Sequence, residues 1–128
     1  MKNVILDTNV FIRFLIRDIE NQFLKSKQIF DKVEKEGLIA EVSILVVNEI
    51  VWVLENFYEL KREIYIPQLV KILDLRNIRI IEAKKSLVLQ VLESSQKQNF
   101  DFTDIYLAHI KGPKEIFSFD KDFRKIKT

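Results

Sequence analysis

Residues 4–9 read Val-Ile-Leu-Asp-Thr-Asn, a short β-branched run that ends at an acid. The apolar run predicts a buried strand, and the polar residues after it predict a turn into a helix. Residues 38–42, 78–81 and 116–119 have the same strand character, and the apolar spacing between successive strands predicts two helices each time. Strands separated by helices indicate a parallel sheet covered on both faces, so the sequence predicts an α/β fold without revealing the strand order.

Local signals predict several helix boundaries. Gly37 predicts the end of the second helix, and Ser43 predicts the N-cap of a third, strongly apolar helix through residues 44–54. Pro67 predicts an early position of a fourth helix, and residues 61–63 are expected to form a loop.

Size and composition limit the class of protein. The chain has 128 residues, of which 48% are hydrophobic and 31% charged, which predicts one globular domain over residues 1–128. The net charge of +2 is too small for a nucleic-acid binder driven by bulk charge, so any RNA contact is expected to be local. The absence of cysteine excludes disulfides, thiolate zinc sites and cysteine nucleophiles. Without a signal peptide or an apolar run of about 20 residues, we expect a soluble, cytoplasmic protein that does not enter a membrane.

Four acids occupy informative positions. Asp7 and Asp120 directly follow predicted strands, whose carboxyl ends share one edge of a parallel sheet. Asp104 lies at the start of a helix, and Glu49 lies in the apolar third helix, where an acid is expected to be buried and to need a partner. Together these positions predict that the four carboxylates converge on one pocket.

Converging carboxylates require a cation, because like charges at short range raise each other's pKa. The candidate ligands are all oxygens, which suit Mg²⁺ or Mn²⁺ better than zinc. Such a site can activate water for hydrolysis of a phosphodiester. The single histidine, His109, is expected to be a packing or surface residue rather than a base.

Each acid also has a structural interpretation. Asp7 could cap a helix, Asp101 and Asp104 have the spacing of a capping box with Asp101 as the cap, and Asp120 could belong to a polar turn. Glu49 could point outward on an exposed stripe with Asn48 and Trp52. The joint placement of the four acids favours a site.

Two arginines and three aromatic residues are weaker candidates for a role. Arg13 and Arg17 could bind RNA phosphates, although a solvated cationic face explains them equally well. Trp52, Phe57 and Tyr58 could line a partner surface, but the core is the expected location.

Four blocks of the chain, residues 5–10, 47–54, 101–108 and 117–123, resemble PIN domains in order and spacing. Within that family the chain is most similar to the small VapC-type toxins of toxin–antitoxin systems. The resemblance implies a three-layer fold with a short central parallel sheet, and an endoribonuclease dependent on Mg²⁺ or Mn²⁺. It also implies a homodimer and a small antitoxin that blocks the site.

The resemblance assigns roles residue by residue. It implies that the catalytic and metal-binding residues are Asp7, Glu49, Asp104 and Asp120. It implies that the polar side chains of Asn9, Thr103 and Ser118 support the acidic site. It implies the same less firmly for Thr8 and Asp122. The chain departs from the family in having Ser118 where threonine is common, and in ending at Thr128, which leaves a final edge strand in doubt. The alternatives are a catalytically silent module that binds RNA or protein, a processing nuclease that is not a toxin, and a nuclease acting on DNA.

Overall fold

The computed structural model describes residues 3–128, in which two helices follow each of three short strands. Residues 1 and 2 of the predicted domain lie outside the described part. The strands are β1 (Val4–Ile5), β2 (Ala40–Val42) and β3 (Ile78–Ile80). The helices are α1 (Thr8–Ile16), α2 (Glu20–Lys35), α3 (Ile44–Asn56), α4 (Arg62–Leu73), α5 (Lys85–Ser95), α6 (Phe102–Ile110) and a final 3₁₀ helix (Lys121–Lys125).

The sheet is parallel in the order β1-β2-β3, as the strand–helix alternation predicts. Ala40 of the central strand pairs with Val4 on one side and with Ile78 on the other. The two inward side chains of β2, Ala40 and Val42, are completely buried because helices cover the sheet. All three strands therefore end at one edge, where Asp7, Ser43 and Glu82 follow them.

The helices bury the faces that their periodicity predicts. In α2 the buried residues are Phe23, Ser26, Phe30 and Val33, at the helical spacing seen in the sequence. Phe30 meets Phe11 of α1 edge to face, with ring centroids 5.4 Å apart. The predicted boundaries at Gly37 and Ser43 are confirmed, since Gly37 has a φ of +75° just after α2 and Ser43 caps α3.

The predicted fourth strand is wrong. Residues 116–119 form no strand with any described residue, and Phe117 and Phe119 are 92% and 96% exposed. Their rings contact each other instead, with centroids 5.9 Å apart. Local composition can favour an extended strand, but the strand forms only with a hydrogen-bonded neighbour and a face to bury.

The fourth helix begins earlier than predicted. Lys61 is its N-cap, and Arg62 and Glu63 form its first turn, so residues 61–63 are not a loop. Pro67 consequently lies inside α4, exposed to solvent. Within residues 3–128, none of the helices combines the length and apolar character needed to cross a bilayer.

Candidate active site

Asp7 and Glu49 share a cavity at the carboxyl edge of the sheet. Asp7 follows β1 at the N-cap of α1, and its Oδ1 accepts a hydrogen bond from the Thr8 amide at 2.7 Å. Glu49 projects from α3 into the same cavity, which has a volume of about 260 Å³. Both carboxylates are exposed to solvent. The other lining residues are Thr8, Asn9, Ile12, Arg13, Val53, Phe57 and Tyr58.

Asp104 belongs to a second acidic group. It lies in the first turn of α6 and is half-buried. Its pKa is raised, first because burial removes water from the carboxylate, and then because Asp101, Asp120 and Asp122 add negative charge nearby. The elevated pKa therefore reflects burial first and nearby negative charge second, and Asp104 itself takes part in none of the ion pairs among the described residues.

Asp120 caps the final 3₁₀ helix. Its Oδ1 accepts from the amide of Asp122 at 2.9 Å, and its own amide donates to Ser118 Oγ at 2.9 Å. Asp122 also pairs with Lys125 at 3.4 Å. The polar turn proposed for this segment is therefore present, and it holds Asp120 close enough to Asp104 to affect its pKa.

The two acidic groups adjoin each other across α3 and α6. Thr103 Oγ1 donates to Asn48 Oδ1 at 3.2 Å, and these residues directly precede Asp104 and Glu49. In the part of the chain that the structure describes, however, no three acidic or histidine side chains lie close enough to hold one metal ion. The predicted convergence of all four acids on one pocket is therefore not seen among the described residues, because Asp7 and Glu49 line one cavity that Asp104 and Asp120 do not line.

The helix α3 is more exposed than its composition predicts. Its inward face carries the buried residues Val47, Ile50, Val51 and Leu54. Glu49 is exposed together with Asn48 and Trp52, which is the outward arrangement considered as an alternative. The prediction that Trp52 and Phe57 belong to the core is wrong, since they are 61% and 72% exposed, whereas Tyr58 is half-buried. The helices α1 and α6 pack against α3, and its outward side chains, including the apolar Leu45 and Trp52, remain exposed.

Asp101 lies at the start of α6 and His109 lies near its end. Asp101 occupies the N-cap position of α6, but its side chain makes no capping hydrogen bond there. His109 Nδ1 lies 2.9 Å from the carbonyl oxygen of Ile105 in the same helix, which agrees with a packing role.

Both candidate RNA-binding arginines are held by acids. Arg13 donates to both Asp18 oxygens at 3.0 and 3.2 Å and to the Tyr58 hydroxyl at 3.3 Å. The pKa of Arg13 is raised, mainly by the hydrogen bond with Tyr58. Arg17 is the left-handed C-cap of α1, pairs with Glu20 at 3.1 Å and lies over the ring of Phe23 at 4.1 Å. A phosphate would have to compete with these carboxylates.

Sequence reasoning missed Glu82 at the edge of the sheet. This residue follows β3 and accepts hydrogen bonds from Ser43 Oγ at 2.6 Å and from the amide of Ile44 at 2.8 Å. It therefore fixes the N-terminus of α3, the helix that carries Glu49. The available signal was its position directly after a predicted strand, which it shares with Asp7 and Asp120.

Comparison with known families agrees with this architecture. The model of the PIN domain matches residues 4–128. Comparison with curated proteins and with solved structures gave no significant match. PIN domains are generally nucleases, and the parallel sheet with helices on both sides is the fold that the resemblance implies. The chain belongs to the PIN-domain family and has a nuclease-type fold.

Proposed function

We propose that this protein is an endoribonuclease that depends on Mg²⁺ or Mn²⁺. The observation that carries the proposal is the pair of adjoining acidic groups, Asp7 with Glu49 and Asp104 with Asp120, in a chain of the PIN family. Among residues 3–128 none of these four carboxylates forms an ion pair with lysine or arginine. Carboxylates without an ion-pair partner favour binding of a hard cation.

The donor set suits such a cation chemically, because all four side chains offer carboxylate oxygens. Its geometry requires the two groups to approach before one ion can contact three of them, since no such cluster exists among the described residues. The contact between Thr103 and Asn48 is the place where α6 and α3 would close. When bound, the ion would supply Lewis acidity and activate water for phosphodiester hydrolysis.

The chain's own residues position the reacting groups. Asp7, Asp104 and Asp120 would hold the ion, and Glu49 would complete the site as a ligand or by orienting water. Thr8 and Asn9 line the cavity of Asp7, and Thr103 fixes the start of α6. Ser118 and Asp122 hold the backbone around Asp120. Arg13 and Arg17 would release their carboxylate partners and contact RNA phosphates instead.

The biological role follows from the likeness to VapC-type toxins. We infer a single-domain, cytoplasmic toxin over residues 1–128 that forms a homodimer and is inhibited by a small antitoxin. A processing nuclease that is not a toxin would have the same chemistry. The separation of the acids into two groups favours, as a second candidate, a catalytically silent module that binds RNA or a protein.

The test compares wild type with Asp7→Asn on labelled RNA in Mg²⁺, in Mn²⁺ and in chelator. We expect cleavage by wild type only with metal, and a loss of about 100-fold or more in Asp7→Asn, as for removal of a group that handles protons or charge in catalysis. The matched control is Asp31→Asn, because Asp31 is a carboxylate that pairs with Lys27 away from the site. Equal cleavage by wild type and Asp7→Asn, or cleavage in chelator, would overturn the proposal. RNA binding without cleavage would favour the silent module.

A further inference from the structure

A cleft beside the acidic groups contains the only tryptophan of the chain, Trp52. The cleft lies between α3 and the start of α6 and has a volume of about 290 Å³. This volume is at the lower end of small-molecule pockets, which begin at about 300 Å³, and it suits a ligand of the size of one nucleobase. The lining residues are Asn48, Val51, Trp52, Glu55, Asn56, Asp101, Phe102 and Thr103.

The cleft has an apolar floor and an exposed aromatic wall. Val51 and Phe102 are 5% and 4% exposed, whereas Trp52 is 61% exposed. A large flat ring that remains open to water beside a packed apolar surface is suited to stacking on another flat ring.

The polar groups of the cleft have free hydrogen-bonding capacity of both kinds. Asn48 Oδ1 accepts from Thr103, and Asn56 Nδ2 donates to the carbonyl oxygen of Trp52 at 3.0 Å. Within the described chain this leaves Asn48 Nδ2 and the Trp52 indole N–H as donors, and Asn56 Oδ1 as an acceptor. Amide side chains that offer a donor and an acceptor are suited to the edge of a base.

The charges of the cleft favour a neutral ring over a phosphate. Its two acids are Glu55 and Asp101. Glu55 is paired with Arg62, whose Nε lies 2.9 Å from Glu55 Oε2, and accepts a hydrogen bond from the hydroxyl of Tyr65, so the repulsion of an anion comes from Asp101. The occupant that fits is therefore uncharged, flat and polar at its edge.

The position of the cleft connects it with the proposed reaction. Asn48 and Thr103 of its walls directly precede Glu49 and Asp104, one acid from each group. We propose that Trp52 and the two asparagines bind one unpaired base of single-stranded RNA, next to the bond that is cleaved. This inference rests on the proposed nuclease function and adds a base-binding subsite to it, which a base held in a duplex cannot enter. A second copy of the chain is the competing occupant of this face, and the experiments below distinguish it from a base.

Trp52 is its own reporter, because it is the only indole in the protein. Wild type in chelator, which prevents metal-dependent cleavage, is titrated with a short single-stranded RNA while tryptophan emission is recorded. We expect saturable quenching by the single strand, and weaker quenching by the same RNA annealed to its complement. Absence of quenching, or equal quenching by the duplex, would overturn the proposal.

Variants give a second, independent readout through the anisotropy of labelled RNA. Trp52→Ala is expected to weaken binding by about 5- to 100-fold, which corresponds to the loss of one base–aromatic stack. Trp52→Phe keeps a ring and is expected to retain most of the affinity. The matched control is Leu45→Ala, since Leu45 is a 74% exposed apolar residue of the same helix that does not line the cleft. Circular dichroism establishes that each variant is folded.

The outcomes separate this inference from the proposed function. Normal RNA binding by Trp52→Ala, combined with loss of cleavage in Asp7→Asn, would overturn the base-binding cleft alone. Normal cleavage by Asp7→Asn would overturn the nuclease assignment, while the binding measurements would still decide the role of Trp52. A dimer in sedimentation that becomes a monomer in Trp52→Ala, with emission insensitive to RNA, would replace the base by a second copy.

Discussion

Arg62 links the ends of three helices behind the candidate site, and its replacement by glutamine has a calculable cost. Its Nε donates to Glu55 at 2.9 Å, and its Nη1 donates to the carbonyl oxygens of Ser95 and Gln98 at 2.9 and 3.0 Å. The side chains of Arg62 and Glu55 are only 17% and 23% exposed. Burial and the hydrogen bond to Glu55 raise the pKa of the Tyr65 phenol, so Tyr65 stays neutral and only its hydrogen bond to Glu55 remains once the cation is lost.

The magnitude follows from the degree of burial. Removal of one partner from a fully buried ion pair costs about 3–5 kcal/mol, whereas exposed pairs contribute about 0–1 kcal/mol. Arg62 retains some contact with water, and glutamine can keep one hydrogen bond, so we expect Arg62→Gln to cost about 2–4 kcal/mol. For a domain of this size that corresponds to a fall in Tm of about 6–20 °C.

The measurement is the unfolding of wild type and variant, followed by circular dichroism in urea and on heating. The control is Lys27→Gln, because Lys27 and Asp31 lie as close, at 2.8 Å, but are 51% and 40% exposed. We expect the control to cost less than about 1 kcal/mol. Equal costs for both variants, or a cost below about 1 kcal/mol for Arg62→Gln, would refute the assignment of Arg62 as the link between α3, α4 and α5.

Three further predictions concern the edge of the sheet and the segment after α6. The pKa of Glu82 is lowered from 4.5, first by the hydrogen bond from Ser43 and then by that from Ile44. Its contribution to stability is therefore present above that value and decreases as pH falls towards the lower folded-state pKa, so Glu82→Gln should lower Tm more at neutral pH than in acid; an equal loss across the titration would contradict this. The pKa of Asp104 is raised above 3.8, so the folded state loses stability as pH rises through that range, and Asp104→Asn in chelator should raise Tm at neutral pH but not near pH 3. Phe117→Ser should change the free energy of unfolding by less than about 0.5 kcal/mol, because the ring is 92% exposed, and a loss above about 2 kcal/mol would show that the segment is a buried strand.

The layout of the fold was predictable because its signals are local. Apolar residues at helical spacing, such as Phe30 and Val33, determine which face of α2 is buried without reference to the rest of the chain. Ser43 marks the start of α3 through its own side chain, which accepts from the Leu45 amide at 3.1 Å. The parallel sheet then follows from the alternation of strands and helices.

The features that were not predictable depend on distant partners. Arg62 is buried because Ser95 and Gln98 present their carbonyl oxygens to it, and no local pattern encodes that meeting. Residues 116–119 have the composition of a strand but no neighbour that pairs with them. The exposure of Glu49 and Trp52 was considered as an alternative but could not be decided, because the sequence of α3 is apolar on more sides than the fold covers.

Helix capping does not explain why Asp7 and Asp120 are acids. Asp7 and Asp120 each accept a backbone hydrogen bond at the start of a helix, and asparagine serves as well as aspartate at such positions. Capping therefore accounts for the oxygen of these side chains but not for their charge. After burial and Asp101, the charge of Asp120 adds to the repulsion that raises the pKa of Asp104, so this charge opposes folding there. Asp7→Asn and Asp120→Asn keep the cap and remove the charge, so any activity that they abolish must depend on the charge itself.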